Sequence, residues 1–304
     1  MASTESDSGR RTDDAPDQIR PLTTADLHGA LALSESANWN QNEADWRMML
    51  RIGRGWGIHA AAADGTDTLA ASTLIIPYGA GFAWISMVLV LPEFQRRGLA
   101  SKLLRHALDT LADEGRIAVL DATPAGRTVY VQEGFHDAWR FARYRREAPT
   151  DTPRLDRPSG PATRSLVESD WPAIEALDES AFGASRAALL RSMAQRLPQA
   201  ARVVVVDGNL RGFIVGRDGR EAAQLGPLLA ADQSSAISLV ADALRTLNGP
   251  VYVDLLDERP HLQGWLLDHG FKLQRPFTRM VRGGPGSPPG DPGQVMLVAG
   301  PELG

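Results

Sequence analysis

"SMVLVLPEFQRRGLASKLL", residues Ser86 to Leu104, decides how this chain is read. Apolar residues run up to Pro92, two arginines and a lone glycine follow, and then Leu103, Leu104, Ala107, Leu108 and Leu111 repeat with the period of a helix that has one apolar face. The stretch reads as strand, loop, helix. Glycine at 98 permits a positive φ or a close approach to the backbone. Ser101 is expected to cap the helix, whose first-turn N–H groups carry partial positive charge. With Arg96 and Arg97 these groups make a site for an anion of the pyrophosphate type. A capped turn with solvated arginines would show the same residues, so the surroundings have to decide.

Working outward, the first half is expected to hold a short strand near Ile19–Leu22, then helices over Thr24–Ser36 and Asn42–Ile52. Strands follow near Trp56–Ala63, Thr68–Ile76 and Phe82–Leu91. After the helix from Ser101 to Glu114 come a strand (Ile117–Ala122), a helix (Pro124–Glu133) and a strand (Phe135–Arg145). This succession predicts an α+β fold, a mixed and largely antiparallel sheet flanked by helices. The Pro- and Thr-rich "REAPTDTPRLDRPSGPAT" marks a linker. Beyond it nearly the same order returns, ending in a strand-like "QVMLVAG".

A shift of 136 residues places "LDATPAGRTVYVQEGF" over "LDERPHLQGWLLDHGF". Leu120, Asp121, Pro124, Gly134 and Phe135 then meet identical residues, as do Phe141, Arg143 and Arg146 further on, which marks an internal repeat. The expected organisation is a polar disordered tail (1–18), a first domain (19–147), a linker (148–161) and a second domain (162–304).

Bulk properties narrow the classes. The 304 residues carry a net charge of −5 and no basic block, against nucleic-acid binding. There is no cysteine, which removes disulfides, thiolate metal sites and cysteine nucleophiles. The six histidines show no metal-ligand spacing, so no metal is expected. No secretory signal or run of about 18 apolar residues stands out, so the expectation is a cytoplasmic protein off the membrane. Oligomeric state is left open.

In this setting V-x-V-x-P-x-x-Q-x-x-G-x-A-x-x-L-L, together with the downstream "TVYVQEGF", resembles the two signatures of the GCN5-related N-acetyltransferases, and the whole chain resembles their tandem two-domain bacterial members. The resemblance implies two tandem acyl-CoA N-acyltransferase folds and acetyl-CoA as cosubstrate. It implies backbone contacts from Val88 and Val90 to pantetheine, and a pyrophosphate cradle at Gln95, Arg96, Arg97, Gly98, Leu99, Ala100 and Ser101. Tyr130 matches the family tyrosine near the cofactor sulfur, able to donate a hydrogen bond or a proton to the leaving thiolate. Trp39, Asn40 and Gln41 lie where the acceptor pocket has its edge. Trp84, counted with them as a pocket residue, stands where some relatives carry a glutamate as general base, which leaves that base open among Glu43, Asp45, Glu93, a water relay or an amine arriving neutral.

The same shift sets Gln95, Arg96, Arg97 and Gly98 against Ala231, Asp232, Gln233 and Ser234, and Tyr130 against Leu266. The second copy therefore reads as degenerate. The implied function is acetyl transfer to a primary amine of a small molecule, by direct attack in a ternary complex. A non-catalytic acyl-CoA or amino-acid sensor, or acetylation of a peptide or protein amine, is the alternative.

Overall fold

The computed structural model describes residues 18–62, 65–148 and 160–304, so all but the last residue of the expected tail and most of the expected linker lie outside the described residues. The first half comprises β1 (Ile19–Pro21), α1 (Leu27–Ser36), α2 (Glu43–Ile52), β2 (Arg54–Ala61), β3 (Asp67–Tyr78), β4 (Phe82–Val90), α3 (Leu99–Asp113), β5 (Ile117–Ala122), α4 (Pro124–Gln132) and β6 (His136–Arg146). The second half comprises β7 (Thr163–Ser165), α5 (Trp171–Phe182), α6 (Ala187–Arg196), β8 (Arg202–Val206), β9 (Asn209–Arg217), β10 (Ala223–Ala230), α7 (Gln233–Leu244), β11 (Val251–Leu256), α8 (Pro260–Asp268), β12 (Phe271–Arg282) and β13 (Val295–Leu297).

Local chemistry sets the helix starts. Asn42 and Asp45 form a reciprocal capping box on α2, and Thr123 caps α4 with Pro124 at its first position. Leu103, Leu104, Ala107, Leu108 and Leu111 of α3 are buried against the sheet. No helix among the described residues is long and apolar enough to cross a membrane.

The described strands form one 13-stranded sheet in the order β1-β2-β3-β4-β5-β12-β6-β11-β13-β10-β9-β8-β7. The fold class is as the sequence predicts, mixed and mostly antiparallel, but each half lends the long strand that follows its α4 or α8 helix to the other. β12 of the second half lies beside β5, and β6 of the first lies beside β11. The two exchanged strands pair with each other from Phe271↔Arg146 to Val281↔His136.

Residues that the repeat makes identical meet across this seam. Phe141 and Phe277 stack with ring centroids 5.1 Å apart and planes 11° from parallel. Arg143 grips Asp254 through two 2.8 Å hydrogen bonds, and Arg279 grips Asp121 through two of 2.9 Å. Both pairs are buried cross-strand neighbours joining the halves. Breaking either pair would strand a buried charge, at a cost of about 3–5 kcal/mol.

The repeat is not uniformly spaced. Pro124 and Pro260 open equivalent helices 136 residues apart, but Leu99 and Gln233, and Ile117 and Val251, are 134 apart. Asp254, 133 residues after Asp121, and not the Asp257 of the ungapped shift, is the second half's paired aspartate.

Candidate functional site

β4 and β5 run parallel only through Phe82↔Ile117, Ala83↔Ala118 and Trp84↔Val119, then part. The register of β4 against β3 shifts between Ser72 and Leu74, and Met87 sits opposite the shift with a φ of 52°. A positive φ at a non-glycine residue is a strained conformation that concentrates at functional sites. Beyond this bulge Leu91 donates its N–H to Ala70 on the β3 side. By the two-residue alternation of a strand, Val88 and Val90 turn their backbone groups the other way, to the edge that β5 has left. The Val90 carbonyl accepts from Gln95 Nε2 at 3.3 Å on that edge.

The loop after β4 leads to α3 through Gly98, which has a φ of 79° and is the N-cap residue with no side-chain cap. Ser101 lies inside the first turn rather than at the cap, which corrects the sequence expectation. The cap residue therefore leaves the N–H groups of this turn without a side-chain hydrogen bond of its own, and an added Cβ at Gly98 would meet nothing within 4 Å among the described residues. Arg96 is exposed, while Arg97 lies 5.0 Å over the Phe94 ring and donates to the Glu93 carbonyl at 2.9 Å. The Leu99 side chain is buried and offers only its backbone.

On the far side of the parted strands a cavity of about 150 Å³ is lined by Trp39, Gln41, Ser86, Val88, Asp121, Tyr130, Arg143, Arg275, Phe277 and Glu302, among others. Gln41 Oε1 and Ser86 Oγ are buried without a hydrogen-bond partner among the described residues, two polar atoms available to a ligand. Burial pushes the Tyr130 hydroxyl up to about 12, so it stays protonated. Burial also raises the Asp121 carboxyl to about 6, against the pull of Arg279.

Not every expected pocket residue lines this cavity. Asn40 is spent across the halves, donating to Ala222 and accepting from the backbone of Glu221 and Ala222. Trp84 is buried and donates to the Pro301 carbonyl at 2.9 Å. Of the candidate bases, Asp45 is tied to Arg196 and Arg217, Glu43 pairs with Arg47 on the surface, and Glu93 is exposed.

The second copy closes both features. β10 and β11 also part after three parallel pairs, but β13 fills the gap, bonding to β10 at Leu228↔Leu297 and to β11 at Leu255↔Leu297. At its bulge stands Pro227, which has no N–H to offer. The helix starts set Gly98 against Asp232, not Ser234, and Asp232 caps α7 by accepting from Ser235 N–H at 2.7 Å. A carboxylate thus occupies the helix N-terminus that the first copy leaves bare.

Residues 27–135 match the model described as the acetyltransferase (GNAT) family, and residues 174–295 match that of an acetyltransferase (GNAT) domain. The chain belongs to the GCN5-related N-acetyltransferases. It is a tandem acetyltransferase, and its relatives match it across both halves. The uncharacterised N-acetyltransferase YitH of Bacillus subtilis is 25% identical over 260 residues, 85% of this chain and 89% of that one. A solved Pyrococcus horikoshii chain superposes with a TM-score of 0.75 at 18% identity, covering 100% of both chains. The tandem GNAT protein of the clavulanic acid pathway gives 0.60 at 14% identity, covering 87% of this chain and 97% of that one.

Sequence reasoning misses what the second half of this acetyltransferase brings to the cavity. Glu302 reaches it because the segment after β13 is pinned from both sides: Val298 N–H donates to Asp254, Tyr78 Oη to the Leu303 carbonyl, and buried Arg217 to Glu302 itself. Arg275 and Phe277 arrive on the exchanged strand β12. The Phe141/Phe277 and Arg143/Arg279 identities were the available signal that these strands share an environment. Nothing in the sequence marks Glu302. Among the described residues no group of three or more His, Asp or Glu is placed to hold a metal ion.

Proposed function

We propose that the enzyme moves an acetyl group from acetyl-CoA to a primary amine of a small molecule, in the cleft where β4 and β5 part. The observation that carries this reading is the contrast between the copies. One keeps a bare strand edge leading to an uncapped helix N-terminus, while the other has filled the edge with β13 and capped the helix with Asp232. The residues of the first copy fit the cosubstrate. Val88 offers its backbone groups to an extended amide chain, Val90 its N–H and a carbonyl now shared with Gln95, and the first turn of α3 with Arg96 faces a pyrophosphate. Acetyl-CoA, when bound, supplies an activated thioester.

The chain's own groups have separable tasks. A backbone N–H of the Val88–Val90 edge is a donor for a developing oxyanion. Tyr130 keeps its proton and donates a hydrogen bond towards a sulfur; with a hydroxyl near 12 and an ordinary thiol near 8.5, complete proton transfer from the phenol would run uphill. Glu302, held by Arg217, places a carboxylate in the cavity to hold an incoming ammonium, whose proton leaves through water before the neutral amine attacks. With no cysteine present, transfer goes directly to the amine. Walls from Trp39 and Phe277 favour a small acceptor over a protein surface. On this reading the halves 19–147 and 162–304 divide the labour, the first holding the cosubstrate and the second finishing the acceptor pocket.

The test is amine-dependent thiol release. Acetyl-CoA is incubated with a panel of primary amines, and free thiol is read with a chromogenic disulfide. Release with at least one amine, reduced in Tyr130→Phe, is expected. Acetyl-CoA binding without release on any amine would point instead to a sensor.

A further inference from the structure

Two arginines share one wall of the acceptor cavity, and they come from different halves. Arg143 on β6 and Arg275 on β12 are direct cross-strand partners, an arrangement that like charges disfavour. A bulge puts them there. Leu273 pairs with Tyr144 and Arg275 with Arg143, so Gln274 is the extra residue and Arg275 is turned onto the face of Arg143. Both guanidinium groups flank one ring: the Arg143 carbon lies 5.6 Å and the Arg275 carbon 6.0 Å from the Phe277 centroid.

Their charges are not equally matched. Arg143 is held by Asp254 through Nε and Nη2, which leaves Nη1 beyond that bidentate grip. Arg275 has no carboxylate partner among the described residues, and both burial and the charge of Arg143 lower its affinity for its proton. Glu302 and Tyr130 also line this cavity. The cavity is therefore bipolar, with a spare positive charge on one wall and a carboxylate among its other lining groups.

We propose that Arg275, with Arg143 beside it, binds a carboxylate of the acceptor, so that the acceptor class is an amino acid rather than a simple amine. A planar guanidinium matches a carboxylate with two parallel hydrogen bonds, and an anion between the two arginines relieves their repulsion. Glu302 then meets the ammonium of the same molecule. This rests on the acetyl-transfer reading above, whose amine it specifies.

The test uses matched ligands on the full chain. Each of the common amino acids and its decarboxylated amine are titrated calorimetrically with and without saturating CoA, and thiol release from acetyl-CoA is followed in parallel. β-Alanine and phosphoethanolamine form an added pair that separates carboxylate from phosphate. The expected result is an amino acid bound about 10- to 100-fold more tightly than its decarboxylated partner, the range of a charge-assisted pair. Arg275→Ala should erase that preference, chiefly through KM, while Arg275→Lys keeps part of it; thermal melting checks that both variants fold. Equal binding of acid and amine, equal losses for both in Arg275→Ala, preference for the phosphate, or no amino acid bound at all would each overturn the proposal. Turnover without carboxylate preference sinks this inference alone. Carboxylate-selective binding without thiol release sinks the acetyl-transfer reading and leaves Arg275's role standing.

Discussion

Replacing Gly98 with aspartate would give the first copy the cap that the second copy carries at Asp232. In the folded protein the change is nearly neutral. Aspartate tolerates the φ of 79° better than most residues, and the strain of about 1 kcal/mol is offset by up to about 1 kcal/mol from a carboxylate at a helix N-terminus. An added Cβ meets no neighbour within 4 Å, so no packing is lost. The melting temperature should hold to within about 2 °C. Binding of the cosubstrate is another matter. One negative charge about 5 Å from a doubly charged pyrophosphate costs about 1.7 kcal/mol at the dielectric of water and about 6.6 kcal/mol at an effective value near 20. CoA affinity by calorimetry should therefore fall at least about 15-fold, and the loss should shrink as salt is raised. Gly98→Asn, equal in shape and uncharged, should retain most of the binding. If the aspartate and asparagine variants bound CoA alike, the anion site would not be at this helix.

On the proposed role of its hydroxyl at the transfer step, Tyr130→Phe should lower kcat by about 100-fold while the calorimetric affinity for CoA stays within about twofold. Arg217→Met should destabilise the protein by about 3–5 kcal/mol, a fall of about 5–8 °C in Tm, because buried Asp45 and Glu302 both lose the charge between them; an unchanged Tm would mean that this cluster is not held by the arginine. Asp170 accepts from both Arg164 amino groups and from Val167 N–H, and Arg164 holds its carboxyl below the usual range. Its folded-state pKa is depressed, so its contribution is present above the unfolded value near 3.9 and is lost as pH falls through the folded one. Asp170→Asn should cost about 1 kcal/mol at pH 7, and the gap to wild type in urea denaturation should close towards pH 3.

Much of this architecture is written locally and is legible for that reason. The strand expected over Phe82–Leu91 is β4 at Phe82–Val90, and the helix expected over Pro124–Glu133 is α4 at Pro124–Gln132, since apolar period, proline and a threonine cap act within one turn. The strand exchange is not local. An antiparallel strand has the same alternation whichever neighbour it takes, so β6 and β12 reveal nothing of their crossing until register is known. "QVMLVAG" reads as a strand, but that it fills the second copy's cleft depends on a gap 40 to 70 residues away in the chain. Asn40 and Trp84 are suitable pocket residues by type. Their polar groups are taken by Ala222, Glu221 and Pro301, partners that belong to the other half. The turn at Gly98 was legible because the strand end, the glycine with its positive φ and the helix start fall in a single short run. The ungapped repeat misplaced its counterpart by two residues, and the structure replaces a serine with the more telling Asp232.

A crystal structure of the protein grown with CoA tests the central claim most directly. The account predicts one CoA per chain, its pantetheine along the Val88–Val90 edge and its pyrophosphate at Gly98–Ser101, with β13 still seated between β10 and β11. CoA lying between β10 and β11 with β13 displaced, or absent from the first cleft, would contradict it.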